Sequence, residues 1–208
     1  MKQIQLKGKR YNFPTSWDDI TVRQLMSIEE LNDEAADMQK LSKIAAILLD
    51  VEKDEILQLE IDEFISLINE VADVMSAKQT AKYQPNITLD GVAYKAKNIE
   101  EFSTREFTDF DTLSADGKKN LPMLLALIYH SENEDSDYVK VTQEKAEKFL
   151  NLPASIAIEA VRFFSFELLK YVKNTVFSSE AAQEIMKKNP KIAEQMKEVE
   201  TLINGAGL

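Results

Sequence analysis

Apolar and polar residues alternate along two short stretches of the chain, and a glycine interrupts each stretch. The first is KQIQLKGKRYNF, residues 2–13, with its break at Gly8, and the second is NITLDGVAYKA, residues 86–96, with Asp90-Gly91 at its centre. Alternation places successive side chains on opposite faces of a strand, and Asp-Gly between alternating segments is typical of a tight turn. The pattern therefore predicts two β-hairpins.

After each hairpin the spacing of apolar residues becomes helical, and a hydroxyl residue stands where the spacing changes. Thr21 precedes VRQLMSIEEL and Ser103 precedes TREFTDFDTL, with Gln24 and Glu106 three residues further on. A hydroxyl residue followed at this distance by Gln or Glu can form a capping box, in which each side chain binds the other residue's backbone N–H. We predict a helix start at both places.

Each half of the chain then continues with a short apolar helix and a longer helix. The short helices are predicted at Leu41–Leu49 and Leu121–Tyr129, and being apolar on most faces they should be buried. The longer helix of the second half, within residues 153–172, is apolar on more than one face. The longer helix of the first half has one apolar stripe at helical spacing: Ile61, Phe64, Ile65, Ile68, Val71, Ala72 and Met75.

The two halves show the same residues in the same order, which indicates an internal duplication. The hairpin positions that match are Ile4, Leu6, Gly8 and Tyr11 with Ile87, Leu89, Gly91 and Tyr94. The predicted fold is α+β and predominantly α-helical, with two tandem copies of a β-hairpin-plus-helices unit and a C-terminal helical tail. The predicted domains are residues 1–82, 83–175 and 176–208, with the polar link Ser76–Asn86 between the two copies.

Composition and charge narrow the class of protein. The net charge is −11, which argues against a nucleic-acid-binding protein and against docking on anionic membranes, since both need a basic face. No stretch is long and apolar enough to predict a transmembrane helix, and the first residues do not resemble a signal peptide. The absence of cysteine excludes disulfides and thiolate chemistry and favours a reducing cytoplasm.

No motif predicts catalysis or a cofactor. His130 is the only histidine, and we interpret it as an exposed loop residue. The acidic stretch Glu132–Glu144 lacks the central glycine of a calcium-binding loop, so we interpret it as a solvated acidic loop without a metal. A phosphate-binding glycine loop is also missing. We therefore expect no enzyme, no cofactor and no small-molecule substrate. A carboxylate–metal hydrolase is a further hypothesis, disfavoured by the single histidine.

Three other side chains have structural and binding interpretations. Arg23 and Arg105 hold matching places in the two copies; they either bridge helix to hairpin through acidic neighbours or contact a partner. Trp17 is expected to anchor the first hairpin to the helical layer, with ligand stacking as the alternative.

Candidate partner-binding residues lie towards the end of the chain. The aromatic run Phe163, Phe164, Phe166 and Tyr171 is too wide for one buried stripe, so it is either ordinary core or partly exposed for association. The tail carries an amphipathic stripe that either folds back or binds a groove of another protein. The candidates are Phe163, Phe166, Tyr171, Ile192, Met196, Val199, Leu202 and Ile203.

The half-unit, with its hairpin, its (I/F)-(T/S)-x-R-(Q/E) helix start, its apolar helix and its acidic turn, resembles the tail assembly chaperones of long-tailed bacteriophages. The segment FPTSWDDITVRQLMSIEEL, residues 13–31, is also similar to the openings of tail-region virion proteins of Bacteroides-type tailed phages. The resemblance covers residues 1–172 by pattern and brings no catalytic signature.

The resemblance implies a non-enzymatic chaperone that binds the tape-measure protein and keeps it soluble in the host cytoplasm until the tail tube assembles. The expected partners are phage tail or virion proteins, with a homo-oligomer as a further possibility. Such chaperones usually contain one unit, so the duplication departs from the family. This departure leaves open a structural virion protein, such as a ring or head–tail adaptor component.

Overall fold

Both predicted hairpins are present in the computed structural model, which describes residues 1–31, 37–78, 81–115, 117–132, 134 and 138–172. Strands β1 (Lys2–Leu6) and β2 (Lys9–Phe13) pair with Ile4 opposite Tyr11, and β3 (Asn86–Leu89) and β4 (Val92–Ala96) pair with Ile87 opposite Tyr94. Both turn residues have positive φ in each hairpin, at Lys7-Gly8 and at Asp90-Gly91. These are turns of type I′, whose twist matches that of the strands.

Four helices follow the first hairpin. They are α1 (Val22–Glu29), α2 (Asp37–Leu49), α3 (Lys53–Leu57) and α4 (Ile61–Ser76). Helix α2 includes the predicted apolar helix and packs against α1, α3 and α4. Trp17 is buried, and its Nε1 donates a 2.9 Å hydrogen bond to the carbonyl of Ala77 just after α4. This contact confirms that Trp17 anchors the first hairpin to the helices.

The second half has the same order of hairpin and helices, with one extra strand. Its elements are α5 (Thr104–Ala115), α6 (Leu121–Ile128), β5 (Tyr129–His130), α7 (Tyr138–Phe149) and α8 (Ala154–Val172). Short 3-10 turns at Ile99–Glu101 and Gly117–Asn120 precede α5 and α6. Tyr129, predicted as the last helical residue, instead begins β5, which pairs with β4 as the third strand of that sheet.

Both predicted capping boxes are confirmed. The Thr21 hydroxyl accepts the N–H of Gln24 at 3.2 Å, and the Thr21 N–H donates to the Gln24 carboxamide at 3.0 Å. The Ser103 hydroxyl accepts the N–H of Glu106 at 3.2 Å, and the Ser103 N–H donates to its carboxylate at 2.9 Å. The described part of the chain is α+β and predominantly helical, as predicted, while the duplication stays a prediction.

Residues of the two predicted copies join through backbone hydrogen bonds. The N–H of Ala154 donates to Ile20 O at 2.7 Å, and the N–H of Val22 donates to Leu152 O at 2.9 Å. Both copies contribute to one compact unit, Met1–Ala96 with Ser103–Val161. The predicted boundaries between the copies and before the tail stay predictions.

A second compact unit contains, among its described residues, Lys97–Phe102 and residues 162–172. Within it, Phe102 and the buried Phe164 stack with ring centroids 4.6 Å apart. A capping box closes the 3-10 turn, where the N–H of Asn98 donates to the Glu101 carboxylate at 2.8 Å. The aromatic pair thus joins the two described segments of this unit.

Helix α6 and a set of aromatic rings form the core of the first unit. All residues of α6 except Met123 are buried, as predicted for an all-apolar helix. Phe149 packs against Tyr94 and Tyr129, with ring centroids 5.1 Å and 6.1 Å away. The Tyr129 hydroxyl donates to Gln84 O at 2.5 Å, which satisfies a polar group that burial would otherwise leave unpaired.

The acidic stretch Glu132–Glu144 is not one loop, because its second part, from Tyr138, lies in α7. The buried face of α7 consists of Thr142, Lys145, Ala146 and Phe149. Two of these four side chains are polar, so an apolar stripe was not visible in the sequence. Their spacing is nevertheless helical, and the Thr142 hydroxyl donates to Tyr138 O one turn earlier at 2.6 Å.

Candidate interaction surfaces and a polar groove

Helix α4 carries two adjacent apolar seams, of which the first unit buries one. The inner seam consists of Phe64, Leu67, Val71 and Val74, and the last three are buried. The outer seam consists of Ile61, Ile65, Ile68, Ala72 and Met75. Each seam steps alternately by three and four residues, which keeps its side chains on one face of a helix.

The outer seam faces solvent over much of its length. Ile61 is 66% exposed and Ile65 47%, Ala72 is also exposed, and Ile68 and Met75 are half-buried. The single stripe that the spacing indicates is therefore not the buried face of α4: the core contacts the inner seam, including Leu67 and Val74, which that stripe omitted. An apolar arc of this width exceeds what one packing contact buries, and that width was visible in the sequence.

The two sides of α4 next to its seams differ in their contacts. On the hairpin side, Lys2 of β1 forms an ion pair with Glu70, and the N–H of Lys7 donates to the Glu63 carboxylate at 3.1 Å. On the opposite side, beyond the outer seam, Asp62 and Asp73 are exposed. The outer seam is consequently bordered by negative charge on its solvent side.

The aromatic residues of α8 are partly buried and partly exposed, so neither the core interpretation nor the association interpretation fits all of them. Phe164 is buried, whereas Phe163 is 40% and Tyr171 36% exposed, and Phe166 is half-buried. Leu169, on the same helix, is 46% exposed. Exposure of Phe163 and Tyr171 fits the partner-binding interpretation, but their binding role stays a prediction. The tail candidates Ile192, Met196, Val199, Leu202 and Ile203 lie outside the described residues.

A polar groove of about 1010 Å³ lies between the three-stranded sheet and α7. His130 lines it from β5, so the interpretation of this residue as an exposed loop histidine is wrong. Its Nδ1 is the one buried side-chain nitrogen or oxygen of the described residues that has no hydrogen-bond partner. The strand pairing of Lys95 with His130 places the ring beside β4.

Lys145 projects from α7 towards this groove and is nearly buried. Its ammonium donates to Tyr129 O at 2.8 Å and lies 3.0 Å from Oε1 of Glu134. The same carboxylate accepts the N–H of Ser131 at 2.7 Å. Because a buried ammonium needs both a counter-ion and hydrogen-bond acceptors, this arrangement satisfies the charge and ties β5 to α7. It is a structural ion pair.

Arg105 does not bridge its helix to a hairpin, contrary to one interpretation of this residue. Its guanidinium lies 4.4 Å from the centre of the Tyr138 ring and pairs with Asp109, one turn on, at 3.8 Å. The Tyr138 hydroxyl donates to Asp109 at 2.8 Å. Burial and this hydrogen bond to a carboxylate raise the pKa of Tyr138 above its usual range. The cluster joins α5 to α7.

Across the described ranges, no three His, Asp or Glu side chains converge in a way that would hold a metal ion. In the same part of the chain, no helix has the length and apolar character needed to span a membrane. Compared with known proteins, the chain matches no family model, no curated protein and no solved structure.

Proposed function

We propose that this chain is a non-enzymatic tail assembly chaperone of a tailed bacteriophage. It binds apolar helical stretches of the tape-measure protein in the host cytoplasm and keeps that protein soluble before tail assembly. The observation that carries the proposal is that an acidic chain presents apolar side chains on helical faces, with Ile61 and Ile65 on α4 and Phe163 and Leu169 on α8. Grouped apolar residues at a surface are typical of protein-binding sites.

Charge supports the same proposal. A net charge of −11 keeps a complex soluble through repulsion between copies, even when part of the chain's surface is apolar. A protein that holds an aggregation-prone partner needs both properties, an apolar face to cover the partner and a charged remainder to prevent association. The pattern resemblance to tail assembly chaperones, over residues 1–172, supplies the specific partner.

The test is co-expression of the full chain with the tape-measure protein of the same phage. The expected result is a larger soluble fraction of the tape-measure protein and its co-purification with the chain. An unchanged soluble fraction would overturn the proposal. The variant Phe163→Asp with Leu169→Asp should give a smaller increase, because two exposed apolar side chains are replaced by charges.

Mass spectrometry of purified virions separates this function from that of a ring or adaptor component. A chaperone acts before assembly and should be missing from the finished particle, whereas a ring protein should be present in a fixed ratio to other tail proteins. Detection of the chain in a fixed ratio would replace the chaperone proposal with the structural one.

A further inference from the structure

We infer that the outer seam of α4 is a docking face for one amphipathic helix of a partner protein, a helix that carries Lys or Arg beside its own apolar seam. The inference rests on the proposed function, because it names the face that would hold a helical client. It concerns a surface on α4, distinct from the candidate residues on α8 and in the tail.

The spacing of the outer seam identifies the occupant as a helix. Its members follow one another at intervals of four, three, four and three residues, from Ile61 to Met75. This is the a/d spacing with which helices pack side chains into the gaps of a facing helix. An extended peptide would instead need the open edge of a sheet, which α4 does not offer.

The packing of the first unit leaves this seam open. The core already contacts α4 through Leu67, Val71 and Val74 of the inner seam, and the first hairpin is tied to the far side of the helix through Glu63 and Glu70. The exposed side chains Ile61 and Ile65 are both β-branched and therefore restricted in χ1. Their burial by a partner would cost little side-chain entropy.

The charge beside the seam identifies a basic partner. Asp62 directly follows Ile61 and flanks the outer seam on its solvent side, the kind of position that sets the choice of partner in helix pairs, and Asp73 lies further round the helix on the same side. A second copy of this chain would bring the same aspartates and the same net charge of −11 to the interface. Like charges at an interface are unfavourable, so the electrostatics favour a partner with Lys or Arg at the flanking positions.

The binding test uses the full chain and two synthetic helical peptides of about four heptads with Leu at the seam positions. One peptide has Lys at the flanking positions and the other has Glu. The Lys peptide should bind at least about ten-fold more tightly in fluorescence anisotropy, because its positive charges attract the carboxylates of Asp62 and Asp73. Equal affinities, or no binding of the Lys peptide, would overturn the inference.

Two matched double variants locate the site. Ile61→Lys with Ile65→Lys alters the outer seam, while Ser66→Lys with Thr88→Lys adds the same charge at exposed positions away from the seam and from its acidic flank. The outer-seam variant should lose at least about ten-fold more affinity than its control, since each isoleucine buries apolar area on binding. Equal losses would exclude the outer seam. If the double variant does not fold, the single substitution Ala72→Arg takes its place. It lies at an exposed position of the outer seam and should also weaken binding.

Two further measurements separate the competing outcomes. Sedimentation that shows a dimer of the wild-type chain, lost in the outer-seam variant, would assign the face to a second copy and overturn the inference. In co-expression, solubilisation of the tape-measure protein that persists in the outer-seam variant would remove the outer seam as the site and leave the chaperone function standing. Peptide binding without any effect of the wild-type chain on the tape-measure protein would retain the docking face and remove the proposed function.

Discussion

The ammonium of Lys145, on α7, lies 3.0 Å from the carboxylate of Glu134, in the segment that follows β5. The Lys145 side chain is 8% exposed and that of Glu134 22%. The pair therefore differs from the Lys140–Glu144 pair on the exposed side of the same helix, where both side chains face solvent and the separation is 4.0 Å. The two pairs permit a matched comparison of a buried and an exposed ion pair in one protein.

Glu134→Ala is expected to lower the free energy of unfolding by about 3 kcal/mol, because it removes a hydrogen-bonded carboxylate from the side of a buried ammonium. Glu144→Ala should change it by less than about 1 kcal/mol, since exposed ion pairs contribute little. Urea unfolding followed by the fluorescence of Trp17, the only tryptophan, measures both values. Equal losses in the two variants would contradict the structural role assigned to the Lys145–Glu134 pair.

Asp19 should make stability depend on pH in the acid range. Desolvation alone would raise the pKa of its carboxyl, but hydrogen bonds from the Met1 ammonium and from Thr15 outweigh it and lower the pKa from 3.8 to about 2. A depressed pKa in the folded state stabilises the protein above pH 4, and that contribution is lost as the pH falls from about 4 to about 2. Asp19→Asn should therefore be less stable than wild type at pH 7, with the difference vanishing near pH 2.

Thermal unfolding at several pH values between 2 and 7 tests this expectation. Thr15→Val removes one of the donors, the hydroxyl that lies 2.8 Å from the Asp19 carboxylate, and retains the backbone N–H donor. Its loss of stability at pH 7 should be smaller than that of Asp19→Asn. A loss in Asp19→Asn that stays constant from pH 7 to pH 2 would argue against the pKa shift.

The capping boxes at the starts of α1 and α5 should contribute similarly to stability. Thr21→Ala and Ser103→Ala are each expected to lower the free energy of unfolding by about 1 kcal/mol, because a helix N–H loses its side-chain acceptor. Thr104→Ala is the control: its side chain is exposed at the first position of α5, and its replacement should change stability by less than about 0.5 kcal/mol. Denaturant unfolding measures the free energy of unfolding of the three variants. A loss in Thr104→Ala equal to that in Ser103→Ala would contradict the contribution assigned to the capping box.

The first hairpin turn should be improved by one substitution. Lys7 has a φ of 48°, in the left-handed region that Asn tolerates better than Lys. Lys7→Asn should raise the free energy of unfolding by about 0.5 kcal/mol and keep the backbone bond to Glu63. Asp90→Asn, in the matching turn, replaces one residue suited to this conformation by another and should have little effect. The midpoint of thermal unfolding compares the two, and a lower midpoint for Lys7→Asn would refute the assignment.

Local signals in the sequence determined several elements of this protein. The type I′ turns need only a residue that tolerates positive φ before a glycine, and the capping boxes need only two side chains three residues apart. The apolar character of α6 likewise predicted its burial. These features could be read from the sequence because each depends on residues that are close along the chain.

Tertiary structure decided the features that depend on contacts between residues far apart along the chain. Helix α7 has Thr142 and Lys145 on its buried face, and the carboxylate of Glu134 and the carbonyl of Tyr129 help to make the burial of that lysine possible. His130 lies in a strand because it pairs with Lys95. These two residues are far apart along the chain, so the local sequence showed no sign of the pairing and predicted a loop.

The clearest case is α4. The sequence determined that this segment is an amphipathic helix with a wide apolar arc, because its spacing is helical. Only the packed structure decided which side of the arc is buried, since that depends on where α2 and the first hairpin meet the helix. In the packed structure Leu67, Val71 and Val74 are buried, while Ile61 and Ile65 are exposed. Apolar periodicity records which side chains can be buried, while tertiary contacts decide which of them are.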